Sequence, residues 1–206
     1  MKIQLLYLMA ALCLIAAKLT AQDTKAPRVH QIGVQFNSLN SFGVHYKTGS
    51  DKTLFRVTLV ALNATQNYSW GRTQDSIDQK QRGFGAGFTL GFEKLIPIAK
   101  DFYFRWGLEV GSSYQYEKYN YSSYYPDSET SYWSINPGVY LMIGVSYILK
   151  EHFVFGAEIS PGIVYSYGKQ KIISNGNTMK EITNNSFRFG LNSNSASLSV
   201  AYRFGK

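Results

Sequence analysis

The stretch from Phe102 to Glu117, FYFRWGLEVGSSYQYE, decides the fold because nearly every second side chain in it is apolar or aromatic. Its even positions carry Phe, Phe, Trp, Leu, Val, Ser, Tyr and Tyr, whereas its odd positions carry Tyr, Arg, Gly, Glu, Gly, Ser, Gln and Glu. Successive side chains of a strand point to opposite faces of a sheet, and a helix would mix the two sets. The stretch therefore predicts a strand with one apolar face.

The same period of two recurs along the chain, most clearly from Phe84 to Phe92 and from Trp133 to Leu149. It predicts strands near residues 30–37, 41–48, 53–65, 81–96, 102–119, 132–149, 153–170 and 186–205. Short connectors are predicted at 49–51, 98–100 and 150–152, a tight turn at 38–40, and long polar connectors near 66–80, 120–131 and 171–185. An all-β chain with eight antiparallel strands and both termini at the short-turn end is typical of a small transmembrane β-barrel.

A soluble barrel of eight strands is the alternative to a membrane barrel. The apolar face from Trp133 to Leu149 covers nine alternate positions, whereas an ordinary strand has about five or six residues in all. The opposite faces carry mainly Gly and Ser with isolated Arg and Glu, which suits a narrow, filled interior. The membrane barrel is therefore the favoured interpretation.

Composition excludes several other classes of protein. The 206 residues are 17% charged and 16% aromatic, which excludes intrinsic disorder. A single cysteine, Cys13, excludes a disulfide framework. The formal net charge of +8 comes from scattered Lys and Arg, a pattern that favours an anionic membrane surface over nucleic acid as a partner.

The N-terminus has the layout of a secretory signal peptide, with Lys2 before an apolar stretch from Leu5 to Ala17. Thirteen such residues are too few to cross about 30 Å of hydrocarbon as a helix, which argues against an anchor. We predict that residues 1–21 are cleaved and that residues 22–206 form an outer-membrane barrel domain. Its termini are then expected in the periplasm.

Four short segments carry a resemblance to a known family. They are the Ala-Gln at the signal end, QIGVQF at 31–36, GFGAGF at 83–88 and AYRF at 201–204. On these segments the chain resembles the outer-membrane β-barrel domain family of porin-like proteins common in Bacteroidetes. The resemblance implies an eight-stranded barrel, in a family whose members mostly have no assigned activity.

The last predicted strand alternates apolar residues with smaller ones and ends close to the C-terminus. It is similar to the C-terminal signal that outer-membrane barrels present to the barrel assembly machinery. Tyr202 and Phe204 are the residues that match this signal, although Gly205 and Lys206 follow the final aromatic residue.

Catalysis would have to depend on His30, His45 or His152. His30 is expected at the start of a strand and His152 in a turn, while His45 is expected to face the lumen. The sequence shows no zinc-ligand spacing and no Gly-rich phosphate loop that leads into a helix. We therefore predict no enzyme activity, no metal and no cofactor.

Charged residues of both signs are predicted on the inner face, where they would form a network that plugs the lumen. They are His45, Arg56, Glu93, Arg105, Glu109, Glu158, Arg188 and Arg203. A narrow path for ions or solutes lined by the same residues is the alternative. If Pro97 faces Asp101 across the short turn, Glu93 lies opposite Arg105 and forms an ion pair with it.

The segment from Tyr119 to Pro126 is rich in tyrosine, and Tyr119, Tyr121, Tyr124 and Tyr125 are candidate contact residues of a surface loop. The alternative is that these tyrosines continue an aromatic girdle. The sequence thus predicts an outer-membrane barrel with a structural or surface-binding role. Its expected partners are outer-membrane lipid and lipopolysaccharide, the assembly machinery, and a larger complex or surface ligand. A low-conductance pore or a carrier of small hydrophobic ligands is the alternative function.

Overall fold

The computed structural model of the protein describes residues 28–38, 41–60, 65–69, 78–122, 128–174, 177–191 and 195–205. The predicted signal peptide lies outside these residues. Within them the chain forms eleven strand segments. They are β1 (Val29–Ser38), β2 (Ser41–Gly49), β3 (Thr53–Val60), β4 (Thr65–Ser69), β5 (Asp78–Ala99), β6 (Phe102–Ser122), β7 (Ser128–Leu149), β8 (Phe153–Ile159), β9 (Gly162–Ser174), β10 (Asn177–Gly190) and β11 (Ala196–Phe204).

Eight of these strands close into an antiparallel barrel. The ring runs β1-β2-β3-β5-β6-β7-β8-β11 and closes where β11 pairs with β1, for example Val200 opposite Val34. The predicted all-β fold with an eight-stranded barrel is therefore confirmed. We call this closed part the ring, and the end that carries the short turns and the termini the short-turn end.

Beyond the ring, the sheet continues on one side only. β4 extends the line of β3 against β5, β9 extends the line of β8 against β7, and β10 pairs with β9. We call this part the wall: β4, β9 and β10 with residues 78–86, 112–122 and 128–138 of β5, β6 and β7. Its strand order is β4-β5-β6-β7-β9-β10. β5 and β7 each have 22 residues, so they belong to both the ring and the wall.

The wall corrects the predicted long connectors. Residues 171–185 lie largely in β9 and β10, and the connectors predicted at 66–80 and 120–131 include parts of β4, β5, β6 and β7. The apolar alternation stops in these segments, which is why the sequence indicated loops. Backbone hydrogen bonds need no apolar face, and strands of the wall have polar residues on both faces because neither face is packed in a core.

The last predicted strand, 186–205, is interrupted between Gly190 and Ala196. Arg188 lies opposite Val164 on the inner face of β10, so even positions point inward there. In β11 the odd positions point inward, as the buried Ser197 and Ser199 show. The interruption therefore changes which residues face the interior, because a shift of one residue reverses the faces of a strand.

The hairpin of β5 and β6 has a different register from the predicted one. A two-residue turn at Lys100 and Asp101 joins the strands, and Pro97 lies opposite Tyr103 rather than Asp101. Glu93 consequently lies opposite Gly107, so the predicted register was wrong. An irregularity between Pro97 and Ala99, together with the left-handed φ of 62° at Asp101, produces this tighter turn. The offset is two residues, and the inward faces are therefore as predicted.

Side chains of the ring separate cleanly into two environments. The outer face presents large apolar residues to the surroundings, as Leu141, Phe155, Val200 and Tyr202 do. The inner face holds buried charged residues and two small apolar clusters. These clusters are Val29, Leu54 and Leu95, and Ile148, Val154 and Ala201; Tyr103 packs against both. This arrangement, polar inside and apolar outside, is the reverse of a soluble barrel.

Candidate functional site

Glu158 lies at the centre of a buried cluster of charges in the lumen. It accepts two hydrogen bonds from Arg56, with Nη2 2.7 Å from Oε1 and Nη1 2.8 Å from Oε2. Arg105 donates a third from Nη2 to Glu158 Oε2 across 3.2 Å. The three residues come from β8, β3 and β6, so these bonds cross the lumen. Paired guanidinium and carboxylate groups make strong, directional contacts, which fix all three side chains.

A second carboxylate, that of Glu93 on β5, is bound mainly by Lys47 on β2. Lys47 Nζ lies 2.9 Å from Oε1 and 3.0 Å from Oε2. Arg105 Nη1 donates to Glu93 Oε2 across 3.4 Å, and Arg56 Nη1 lies 3.8 Å from the same oxygen. The two arginines therefore connect Glu93 with Glu158. Glu93 and Arg105 do meet, although they are diagonal neighbours and do not lie directly opposite.

Two further side chains complete the cluster. Arg56 Nε lies 2.9 Å from Glu109 Oε1. Gln35 on β1 accepts from Arg56 Nη2 across 2.5 Å and donates to Ser197 Oγ across 2.9 Å. Gln35 also donates to Glu158 Oε1 across 3.2 Å. These contacts reach β1 and β11, so every strand of the ring except β7 contributes a side chain to the contacts described.

We call this cluster the lumen network. Its members are Gln35, Lys47, Arg56, Glu93, Arg105, Glu109 and Glu158. It contains three cations and three carboxylates, and every one of them is buried. A single buried charge left without its partner costs roughly 3–5 kcal/mol, whereas equal numbers of opposite charges in contact offset one another. Glu109 Oε1 and Arg105 Nε have no hydrogen-bond partner among the described residues, so Glu109 meets Arg56 as an ion pair without a hydrogen bond. The network is therefore stable as a unit and sensitive to the loss of any one member.

Gly156 makes room for the network. A Cβ atom at this position would lie 2.7 Å from Arg105 Nη2 and 2.5 Å from Ser199 Oγ, closer than real Cβ contacts. The absence of a side chain at Gly156 on β8 thus lets the Arg105 guanidinium of β6, two strands away, reach Glu158. The small residues that the sequence places on inner faces therefore have a specific role here.

His45 lies beside the network and is 2% exposed. Its Nδ1 has no hydrogen-bond partner. Thr58 is also buried here, and its hydroxyl accepts a hydrogen bond from Arg56 Nε across 3.1 Å. The surroundings of His45 are those of a packed lumen, with no nucleophile hydrogen-bonded to its Nδ1.

An apolar layer separates the network from the short-turn end. It consists of the two apolar clusters joined by Tyr103. Outside this layer is a cavity of about 530 Å³ with an apolar floor and a polar rim. Its lining residues include Leu54, Tyr103, Gln31, Asp51 and Arg203. The lumen is therefore filled at two levels, by apolar side chains near the short-turn end and by the network beyond them.

The structure brings six of the eight predicted lumen residues together: His45, Arg56, Glu93, Arg105, Glu109 and Glu158. Arg203 is not among them, since it pairs with Asp51 at the short-turn end. Arg188 is exposed on the wall, where its Nη2 donates to Ser166 Oγ across 3.4 Å. Sequence reasoning omitted Lys47 and Gln35. Lys47 could have been predicted, because it lies two residues after His45 in the same strand and therefore points to the same face.

The predicted tyrosine loop is only partly described. Tyr119 belongs to β6 and is half-buried, with its hydroxyl donating to Glu117 Oε2 across 2.8 Å and accepting from Gln81 Nε2 across 3.1 Å. Tyr121 is also in β6, although its side chain lies outside the described residues, as do Tyr124 and Tyr125 altogether.

Tyr202 and Phe204, predicted as the assembly signal, both point outward from β11 at the short-turn end. Their rings stack at 6.3 Å between centroids, and Tyr202 also stacks on His152 at 5.6 Å. His30 stacks on Phe204 at 5.5 Å, and its Nδ1 lies 2.7 Å from the Tyr46 hydroxyl. Both histidines at the short-turn end thus belong to an aromatic belt.

Two further features were sought in the part of the chain that the structure describes. None of its residues forms a helix long and apolar enough to cross a membrane. No group of three or more His, Cys, Asp or Glu side chains in the same ranges could hold a metal ion.

The ring defines the class of this protein as a closed, eight-stranded antiparallel β-barrel. The sequence matches no family model and no curated protein. Similar folds occur in solved outer-membrane proteins. A major outer membrane protein from Thermus thermophilus shares 9% identity, with 86% of this chain and 99% of that chain covered and a TM-score of 0.44.

Two further solved proteins are similar as well. Ail, the attachment invasion locus protein of Yersinia pestis, shares 14% identity, with 88% of this chain and 100% of that chain covered and a TM-score of 0.37. Neisserial surface protein A shares 16% identity, with 87% of this chain and 96% of that chain covered and a TM-score of 0.26. At these identities the likeness concerns the fold alone.

Proposed function

We propose that this protein is an integral outer-membrane barrel with a closed lumen and a surface-binding role, and that it is neither a channel nor an enzyme. The observation that carries this proposal is the lumen network, which spans the ring with three cations and three carboxylates. Eight strands leave an interior just wide enough for side chains to fill. The network and the apolar layer fill it at two levels.

The lengths of the ring strands support a membrane location. β1, β2, β3, β8 and β11 have between 7 and 10 residues. A tilted strand needs about 9–11 residues to cross a bilayer. The ring therefore matches the hydrocarbon thickness, and the wall extends beyond it. With the short turns and termini in the periplasm, as in other barrels of this kind, the wall faces the outside of the cell.

A surface role follows from the wall. Strands of 22 residues extend roughly 70 Å along their own axis, more than twice what the membrane needs. A barrel with only a structural role in the membrane has no use for this extension. The wall is therefore the part that meets partners, which we expect to include lipopolysaccharide and surface ligands.

A carrier of small hydrophobic ligands is the second candidate, because the cavity at the short-turn end has an apolar floor of Val29, Leu54, Leu95 and Ile148. Native mass spectrometry of the purified protein tests it. A bound small molecule that Leu54→Trp removes would favour the carrier. Spectra of the apo protein alone would leave the surface role as the better account.

Conductance in planar bilayers tests the proposal itself. Purified wild-type protein is inserted next to a general porin as positive control, at several salt concentrations. We expect no steady conductance from the wild-type barrel, because the side chains of Arg56, Arg105 and Glu158 meet across the lumen. Long-lived ohmic steps whose reversal potential follows the salt gradient would contradict the closed lumen and favour the pore.

A further inference from the structure

β10 has a free edge along its whole length within the described residues. One edge pairs with β9, from Asn177 opposite Ser174 to Gly190 opposite Gly162. The other edge has no partner strand in the part of the chain that the structure describes. The reason is the short β1–β2 hairpin, which pairs with β11 in the ring but reaches its turn near Ser38 and Ser41, below the level of β10.

The side chains of β10 are exposed as well. Phe187 and Phe189, on its outer face, are 78% and 88% exposed. All the remaining residues of the strand are exposed too, except Ile182 and Gly190. An unpaired edge presents a row of backbone N–H and C=O groups that match those of another extended chain. Such an edge cannot lie in hydrocarbon, where unpaired backbone groups cost several kcal/mol. It therefore lies above the membrane, accessible from outside.

The charge beside this edge is positive. On the ribbon of β9 and β10, Glu181 is bound by Lys169, whose Nζ lies 2.7 Å from Oε1. Glu181 also lies directly opposite Lys171, so Lys180 and Arg188 are the remaining cationic side chains of the ribbon. Opposite charges across neighbouring strands stabilise pairing and like charges oppose it. An incoming strand is thus favoured when it carries carboxylates.

We propose that β10 binds an extended, acidic polypeptide segment of a partner protein at the cell surface, by adding that segment as a strand to the wall. The inference rests on the proposed surface role and names the partner class for it. Main-chain hydrogen bonds would supply affinity, and Lys180 and Arg188 would select for acid.

A second copy of this chain fits the edge poorly. Two copies in one membrane point in the same direction, so an antiparallel pairing of β10 with β10 would require one copy to be upside down. In a parallel pairing, Lys180 and Arg188 of both copies would lie along the same seam, and like charges oppose pairing. We therefore expect the segment to come from a different chain that approaches from outside. Anionic lipid would satisfy the cations but not the row of backbone groups.

The test uses a labelled peptide of alternating Val and Glu, as long as β10, and the full protein in neutral detergent. We expect saturable binding by fluorescence anisotropy. Methylation of alternate peptide nitrogens on the paired edge should abolish it, and a Val-Lys peptide should not bind. Lys180→Ala with Arg188→Ala should weaken binding about tenfold, whereas Lys100→Ala, a cation in the short-turn end, should not change it.

Three results would overturn the proposal: no binding of the Val-Glu peptide, equal binding of the methylated peptide, or dimerisation of the protein through β10. A fourth result would also overturn it, in favour of a lipid: the protein attaches to lipopolysaccharide vesicles but does not bind the peptide. If the peptide does not bind and the bilayer test shows no conductance, strand addition to β10 is rejected and the proposed function is not. Steady conductance would reject the proposed function itself.

Discussion

The ring and the wall share the three strands β5, β6 and β7, yet their stability has different sources. In the ring, every strand has two neighbours, the outer face is apolar, and the buried charges of the inner face lie in contact with one another. In the wall, β10 has one edge without a partner strand among the described residues, polar side chains lie on both faces beside aromatic ones such as Phe187, and the ion pair of Lys169 with Glu181 is exposed. The comparison teaches that closure, and not strand length, decides where charged side chains are buried.

The largest difference between the two regions should appear when one carboxylate is neutralised in each. Glu158→Gln leaves Arg56 and Arg105 buried without their shared partner, which should cost about 3–5 kcal/mol in the free energy of unfolding. Glu181→Gln in the wall should cause no measurable change, because solvent screens the pair it breaks. Urea unfolding in micelles, followed by tryptophan fluorescence, measures both. Equal losses would show that the network is not buried.

Placing an arginine on the outer face should distinguish the regions by their solvent. Leu141→Arg puts a cation on the lipid face of the ring and should cost about 2–4 kcal/mol. Met179→Arg, at an exposed position of β10 in the irregularity between Thr178 and Lys180, should cost far less if the wall extends beyond the hydrocarbon as proposed. Folding efficiency into lipid vesicles provides the measurement. If Leu141→Arg folds as well as wild type, the outward assignment of β7 is wrong.

A smaller effect is expected from adding one methyl group to the inner face. Gly156→Ala forces a Cβ against Arg105 and Ser199 and should destabilise the barrel by about 1–3 kcal/mol. Gly85→Ala in the wall is the matched control, since a Cβ there would have its nearest neighbour at an ordinary 3.6 Å. Thermal unfolding should separate the two variants, and an unchanged midpoint for Gly156→Ala would argue against the tight lumen.

The smallest effect concerns pH. The hydrogen bond from Lys169 lowers the pKa of Glu181 and raises the pKa of Lys169. A lowered carboxyl pKa stabilises the pair above the ordinary Glu value of about 4.3, and this stabilisation is lost as pH falls through the lowered pKa. A carbon-13 titration of the Glu181 carboxyl should show this shift, and Lys169→Met should return it to the ordinary range. Identical titrations in both proteins would mean that the pair does not form in solution.

The strands of the ring and their facing could be predicted from the sequence. Apolar and polar side chains must alternate with a period of two wherever one face of a strand meets lipid and the other meets a filled lumen. That is why the facing of Arg105 and Glu93 could be predicted although their register could not. Register depends on the turn at Lys100 and Asp101, where an irregularity and a left-handed residue change the pairing without leaving a periodic signal. Even positions in β5 were assigned outward correctly for the same reason.

The wall was not predictable by the same signal. Residues 171–185 have no apolar alternation, so they read as a loop, although their backbone pairs into β9 and β10. Arg188 illustrates the consequence. It lies on the inner face as the pairing with Val164 shows, but the sheet is open at that height and the side chain stays exposed. Whether a strand has a neighbour on both sides is a property of the whole chain, and one segment does not reveal it.

A single strand contains the most direct test of the boundary between ring and wall. The mature chain contains no cysteine if residues 1–21 are removed, so spin labels can be placed singly along the outward positions of β7, such as Leu141, Val145 and Ser131. Electron paramagnetic resonance in vesicles then reports contact with oxygen, which concentrates in lipid, and with a water-soluble nickel complex. We predict dominant oxygen contact at Leu141 and Val145 and dominant nickel contact at Ser131. Oxygen contact that continues through Ser131 would contradict the account, because it would place the wall inside the membrane.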